Sequence, residues 1–135
     1  MSYPITRIEG IGPSVAERLK AQRIRTTVRL LEAAKNPRRR KALSERTGIE
    51  SSRLLKWANR ADMMRIKGIG EEYSELLEAA GVDTVRVLKN RNPKSLARAM
   101  AEANARRKLV RLVPSEKAVV KWIARAHLLP MKITY

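Results

Sequence analysis

The chain has 135 residues, and its 30 Lys and Arg against 13 Asp and Glu give it a net charge of +17. With no cysteine there are no disulfides, thiolate ligands or thiol nucleophiles, and a single imidazole, His127, supplies neither a zinc site nor a catalytic constellation. No segment approaches the run of about 18 apolar residues that a membrane span needs, and Met-Ser-Tyr-Pro-Ile-Thr-Arg at the start lacks the apolar stretch of a secretion signal, so no membrane partner and a cytoplasmic location are expected.

Apolar residues recur at spacings of three and four with no sustained alternation, which predicts an all-α fold. Gly12-Pro13 opens a first helix running to about Gln22, with Val15, Ala16 and Leu19 on its apolar stripe. Thr26 caps a second helix carrying Val28, Leu30 and Leu31; Asn36-Pro37 starts a third that ends at Gly48. Ser51 or Ser52 caps a fourth, with Leu54, Leu55, Trp57 and Ala58. The plan then repeats: Gly70 opens a helix that Gly81 ends, Thr84 caps the next, Asn92-Pro93 starts a long one and Ser115 starts the last. The ending Leu129-Pro130-Met131-Lys132-Ile133-Thr134-Tyr135 is broken by proline and ends in β-favouring residues, so an extended segment, packed on the body or left loose, is expected there.

The repetition is an internal duplication. Ile8 set against Ile66 aligns Gly10-Ile11-Gly12 with Gly68-Ile69-Gly70, Leu19 with Leu77, Thr26 with Thr84 and Leu30 with Leu88. The register drifts later, and Lys56-Trp57 aligns with Lys121-Trp122. Residues 1–62 form the first repeat; residues 63–135 form the second, with a longer insertion within Ala105 to Pro114 and the C-terminal tail. No low-complexity linker separates them, so the repeats are expected to pack into one compact body. Trp57 and Trp122 are read as core, since the chain has no Phe.

The pattern Ile5-x-x-Ile8-x-Gly10-Ile11-Gly12-x-x-x-Ala16-x-x-Leu19 resembles the helix-hairpin-helix motif, in which two short helices flank a Gly-hydrophobic-Gly turn. The second copy, Met63-x-x-Ile66-x-Gly68-Ile69-Gly70, keeps the pattern but has Ser74 in place of the alanine. The longer stretch from Gly-Ile-Gly to Ile24-Arg25-Thr26 also resembles the helical domain at the C-terminus of bacterial RNA polymerase alpha subunits and in recombinase N-terminal domains. Taken over nearly the whole chain, the sequence resembles a bacterial family of unknown function built of two such repeats. The hairpin resemblance implies sequence-tolerant binding of double-stranded DNA through turn amides and nearby basic side chains.

The residues support that expectation independently. Glycines permit a tight backbone path, the central isoleucine anchors the turn, and the following helix presents unpaired amides that suit a phosphate. Gly10, Ile11, Gly12, Ser14 and Arg18 are therefore the first candidates; Ser14 stands where many hairpins place Lys or Arg, and Arg18 lies one helical turn further on. The turn Gly68-Ile69-Gly70 is followed by Glu71, Glu72, Glu75 and Glu78, whose charge repels phosphate, so it is read as structural or protein-contacting. Two basic clusters complete the candidate surface: Lys35, Arg38, Arg39, Arg40 and Lys41, and Arg106, Arg107, Lys108 and Arg111.

Duplex DNA is the partner these features favour, with nucleoid association as the corollary, because no aromatic-basic platform for single strands is present. The alternatives are an adaptor that docks a protein of a nucleic-acid-handling complex, and a binder of structured RNA. No cofactor or metal is implied. The duplicated repeats consume nearly the whole chain and leave no separate catalytic domain, so the protein is not expected to be an enzyme.

Overall fold

Pro13, Pro37 and Pro93 each stand at the first position of a helix, where a missing amide costs nothing because the first turn's amides have no intrahelical acceptor. The computed structural model describes residues 2–135 and is all-α. Among the described residues the helices are α1 (Pro13–Ala21), α2 (Thr27–Ala33), α3 (Pro37–Thr47), α4 (Ser51–Met63), α5 (Glu71–Ala79), α6 (Val85–Lys89), α7 (Pro93–Arg107) and α8 (Glu116–Leu128), preceded by a 3-10 turn over Ile5–Arg7.

Cap chemistry sets most of the boundaries. The side chains of Thr26, Asn36, Thr84, Asn92 and Ser115 each accept a hydrogen bond from the amide three residues on. Gly48 ends α3 in the left-handed conformation at φ +74°, where a glycine carries no Cβ penalty. The start of α4 differs from expectation: Glu50 is its N-cap without a side-chain bond, and Ser51 is already its first helical residue.

The helices form two units, residues 1–65 with 131–135 and residues 66–130. In the first, α2 and α3 pack on α4, burying Leu30, Leu31, Leu43, Leu54, Trp57 and Ala58. Its N-terminal arm lies along the α1–α2 connection: the Ile5 amide donates to the Arg25 carbonyl (3.0 Å) and the Thr27 amide to the Tyr3 carbonyl (2.8 Å). In the second unit, α6 and α7 pack on α8 and α5 on α7, burying Leu76, Leu88, Leu96, Met100, Val119 and Trp122.

The five C-terminal residues are an integral part of the first unit. Ile133 is 4 % exposed within its core cluster. The Thr134 amide donates to the Lys35 carbonyl (2.8 Å), and the Tyr135 hydroxyl donates to Asn59 Oδ1 (2.9 Å). The segment has no regular secondary structure and is held by a backbone bond, the buried Ile133 side chain and the Tyr135 hydroxyl.

Near the end of α4 a carboxylate is buried. Asp62 is 7 % exposed and accepts from Arg65 Nε at 2.8 Å. Burial raises its carboxyl above the usual aspartate range, opposed by the charge and hydrogen bonding of Arg65 and by the charge of Lys132. A folded-state value above the unfolded one means that this group contributes stability below its unfolded pKa, and that the contribution disappears as pH rises through the folded value. A carboxyl-carbon NMR titration is expected to place Asp62 above the ordinary value of about 3.9. A midpoint below that value would mean that Arg65 outweighs desolvation.

Candidate nucleic-acid interface

The first turn is built around Gly10. Its φ of +94° belongs to glycine, and a Cβ there would lie 3.2 Å from Nε1 of Trp57. Ile11 next to it is buried and pins the turn to the core, while Gly10 and Gly12 stay exposed. Gly12 is the extended N-cap of α1 and no side chain caps this helix start. Ser14 and Arg18, one turn apart on α1, both face solvent. The structure thus leaves exposed backbone, a hydroxyl and a guanidinium along one short path, an arrangement able to accept an anion.

The second turn has the same backbone and different chemistry. Gly68 has φ +97° and Gly70 is the extended N-cap of α5, again without a side-chain cap. Glu71 and Glu72 occupy the first helical turn, which satisfies the helix dipole with carboxylates and disfavours a phosphate. Ser74, buried where the first unit has buried Ala16, donates its hydroxyl to the Glu71 carbonyl at 2.9 Å, so the polar substitution is satisfied locally. Arg125 donates Nη1 to the Lys67 carbonyl at 2.6 Å and braces the turn from α8.

The basic clusters are dispersed by helix geometry. Arg38, Arg39, Arg40 and Lys41 are consecutive on α3, and successive helical residues point in different directions. Arg38 and Lys41, three apart, share the outer face and are exposed. Arg40 points inward and corrects the sequence expectation. It is 4 % exposed and donates to the carbonyls of Ala34 (2.9 Å) and Thr134 (2.8 Å), so it joins α2 to the C-terminal tail instead of meeting a ligand. Desolvation lowers its pKa, offset in part by the electrostatic influence of Tyr135.

Lys35 and Arg39 gather on Glu32, at 2.8 and 3.7 Å. The hydrogen bond from Lys35 holds the Glu32 carboxyl below the usual range; a smaller desolvation effect opposes this, and the charges of Lys35, Arg39 and Lys132 reinforce it. These two cations are partly neutralised before any ligand arrives, although exposed pairs of this kind are worth little in themselves. Arg106 and Arg107 end α7 and Lys108 is its left-handed C-cap at φ +50°. Their charge complements the helix terminus, so a local structural role accompanies their exposure. Arg111 is exposed three residues beyond.

Sequence reasoning missed Arg53. Its guanidinium carbon sits 4.8 Å from the Trp57 ring centroid, on the tryptophan that packs beside Gly10. The signal was available as Arg-x-x-x-Trp, a spacing that puts both side chains on one helix face. Among the described residues no grouping of His, Cys, Asp and Glu is able to hold a metal ion, and no helix is long and apolar enough to cross a membrane.

Residues 9–129 match a family described as a domain of unknown function (DUF4332). The chain belongs to this family. Neither the curated proteins nor the solved structures return a match. The DUF4332 match spans both glycine turns, both tryptophans and, among the described residues, all eight helices, and its description carries no activity.

Proposed function

We propose that the two units are helix-hairpin-helix repeats and that the protein is a non-enzymatic, sequence-tolerant binder of double-stranded DNA, with its phosphate site at the first turn. The observation that carries this reading is the start of α1 beside exposed Gly10 and Gly12, uncapped and with no carboxylate in its first turn, compared with the uncapped start of α5, whose first turn carries Glu71 and Glu72. Charge points the same way. Residues 1–65 and 131–135 hold 17 Lys and Arg against 6 Asp and Glu, a net of +11; residues 66–130 hold 13 against 7, a net of +6. A duplex carries a phosphate for roughly every 1.7 Å of its axis, so a positive unit of this size has many partners within reach.

The test is the affinity of a labelled random-sequence duplex across a salt series. Wild type is compared with Ser14→Glu and with Arg86→Glu, the latter an exposed charge reversal on α6 of the second unit. Contact with six phosphates corresponds to a slope of log K against log salt of about −0.9 × 6. Ser14→Glu sets a carboxylate among the amides that hold the phosphate, and a loss on the order of 100-fold is expected, from roughly 3 kcal/mol for a charge-assisted contact replaced by repulsion. Arg86→Glu should weaken binding far less. Equal small losses would assign the binding to diffuse charge and favour the protein-docking alternative. Tighter binding to structured RNA than to duplex DNA would favour the RNA reading.

A further inference from the structure

The two tryptophans occupy the same place in their units, each with its indole nitrogen as the nearest atom to a Cβ built on the turn glycine, Trp57 at Gly10 and Trp122 at Gly68. They differ in what covers the ring. Trp122 meets the ring of Tyr73 at a centroid distance of 5.3 Å, and the Tyr73 hydroxyl is committed to the Leu112 carbonyl at 2.9 Å. Trp57 meets the guanidinium of Arg53 instead. The position aligned with Arg53 in the second unit is Ala118.

A guanidinium stacked on an aromatic ring uses its face for the ring and keeps its edge for donors. Arg53 is exposed, and among the described residues no carboxylate pairs with its side chain. Trp57 is 3 % exposed, and among the described residues its indole N–H meets no acceptor. Every fully buried side-chain nitrogen or oxygen among those residues does have a partner, so this N–H keeps some exposure to solvent, and it lies beside Gly10. A planar cation with unused donors, a nearly buried indole donor and the exposed turn backbone therefore lie side by side.

We infer that Arg53, held in place by Trp57, is a phosphate-binding residue of the first turn, contacting the duplex phosphate next to the one at the Gly12 helix start, with the Trp57 N–H donating into the same site. This inference rests on the duplex-binding reading above. It accounts for the missing cation at Ser14: a second charge comes from α4, across the tryptophan, beside that of Arg18 on α1. It also gives the second turn a distinct character, since its ring is covered by a tyrosine with its hydroxyl engaged and Ala118 stands where the first unit has Arg53.

The experiment is the same duplex titration on Arg53→Ala, Arg53→Lys and, as control, Arg86→Ala, with indole N–H resonances of ¹⁵N-labelled wild type followed during duplex addition. Loss of one charge-assisted phosphate contact should weaken binding by Arg53→Ala about tenfold and make the salt slope shallower by about 0.9. Arg53→Lys keeps the charge and loses the fork, so it should recover only part of the affinity. Arg86→Ala should change affinity less than about twofold, as a rim charge. The Trp57 indole signal should move with saturation while that of Trp122 stays. The inference is overturned if Arg53→Ala loses no more than Arg86→Ala, or if the Trp57 signal does not move, while Ser14→Glu still weakens binding on the order of 100-fold; the first-turn reading then survives alone. Wild type that fails to bind the duplex overturns both.

Discussion

A chain ending at Pro130 is expected to lose about 4 kcal/mol or more of the first unit's stability, although it lacks only five residues. Ile133 is almost fully buried, and removing a buried isoleucine side chain costs about 2–5 kcal/mol. The same deletion takes the Thr134 carbonyl from Arg40, leaving a buried guanidinium with the Ala34 carbonyl alone of those two acceptors, a loss of roughly 1–3 kcal/mol for an unsatisfied donor. Ile133→Ala isolates the first contribution and should fall between truncated and full-length protein. The measurement is chemical denaturation followed by hydrogen exchange of the α2 and α4 amides. Unchanged protection in the truncated chain would show that the tail only rests on the unit.

The second large effect is expected at Gly68. Alanine there combines a left-handed backbone at φ +97°, which costs on the order of 1–3 kcal/mol for a residue with a Cβ, with a methyl group 2.8 Å from the indole nitrogen of Trp122. The indole cannot yield cheaply, because Tyr73 packs against it and is itself held by the Leu112 carbonyl. Gly10→Ala meets a slightly more distant indole, 3.2 Å away, with an exposed arginine and no tyrosine over its ring, so it should cost less. Gly81→Ala, at φ +93° with open space around the new methyl, reports the backbone contribution alone. The expected order of destabilisation in urea is Gly81, Gly10, Gly68. A Gly81 variant as unstable as Gly68→Ala would mean that the indole contact adds nothing.

The helix plan was legible because its signals are local. A threonine or asparagine before a helical run caps it through the amide three residues on, whatever the remainder of the chain does, and Thr26, Asn36, Thr84, Asn92 and Ser115 all do so. Ser51 misled because Glu50 adopts the cap conformation without a side-chain bond, a distinction that lies in backbone angles and not in residue type. Trp57 and Trp122 were identified as core from size and scarcity, and both are buried.

What sequence could not resolve is direction. Four consecutive cations on α3 look alike as letters, yet a helix turns them to different environments, and Arg40 ends inside while Arg38 and Lys41 stay outside. The destination of the tail was equally hidden, since its partners Lys35, Arg40 and Asn59 are all distant in the chain and nothing in Ile-Thr-Tyr specifies them. Arg53 escaped notice because its importance comes from the ring it covers and the glycine beyond that ring.

The bond from Arg40 to Thr134 spans 94 positions in the chain, and that separation bears on how the molecule is made. Chains emerge from the ribosome N-terminus first, and domains generally complete themselves in that order. Here the order is reversed: residues 66–130 are all present before Ile133 exists, so the unit that begins first is the last to close its core. Closing it is a long-range step whose entropy must be met before any contact of the tail is gained, and the helices of residues 1–65 keep an open seam until Ile133 and Thr134 are available.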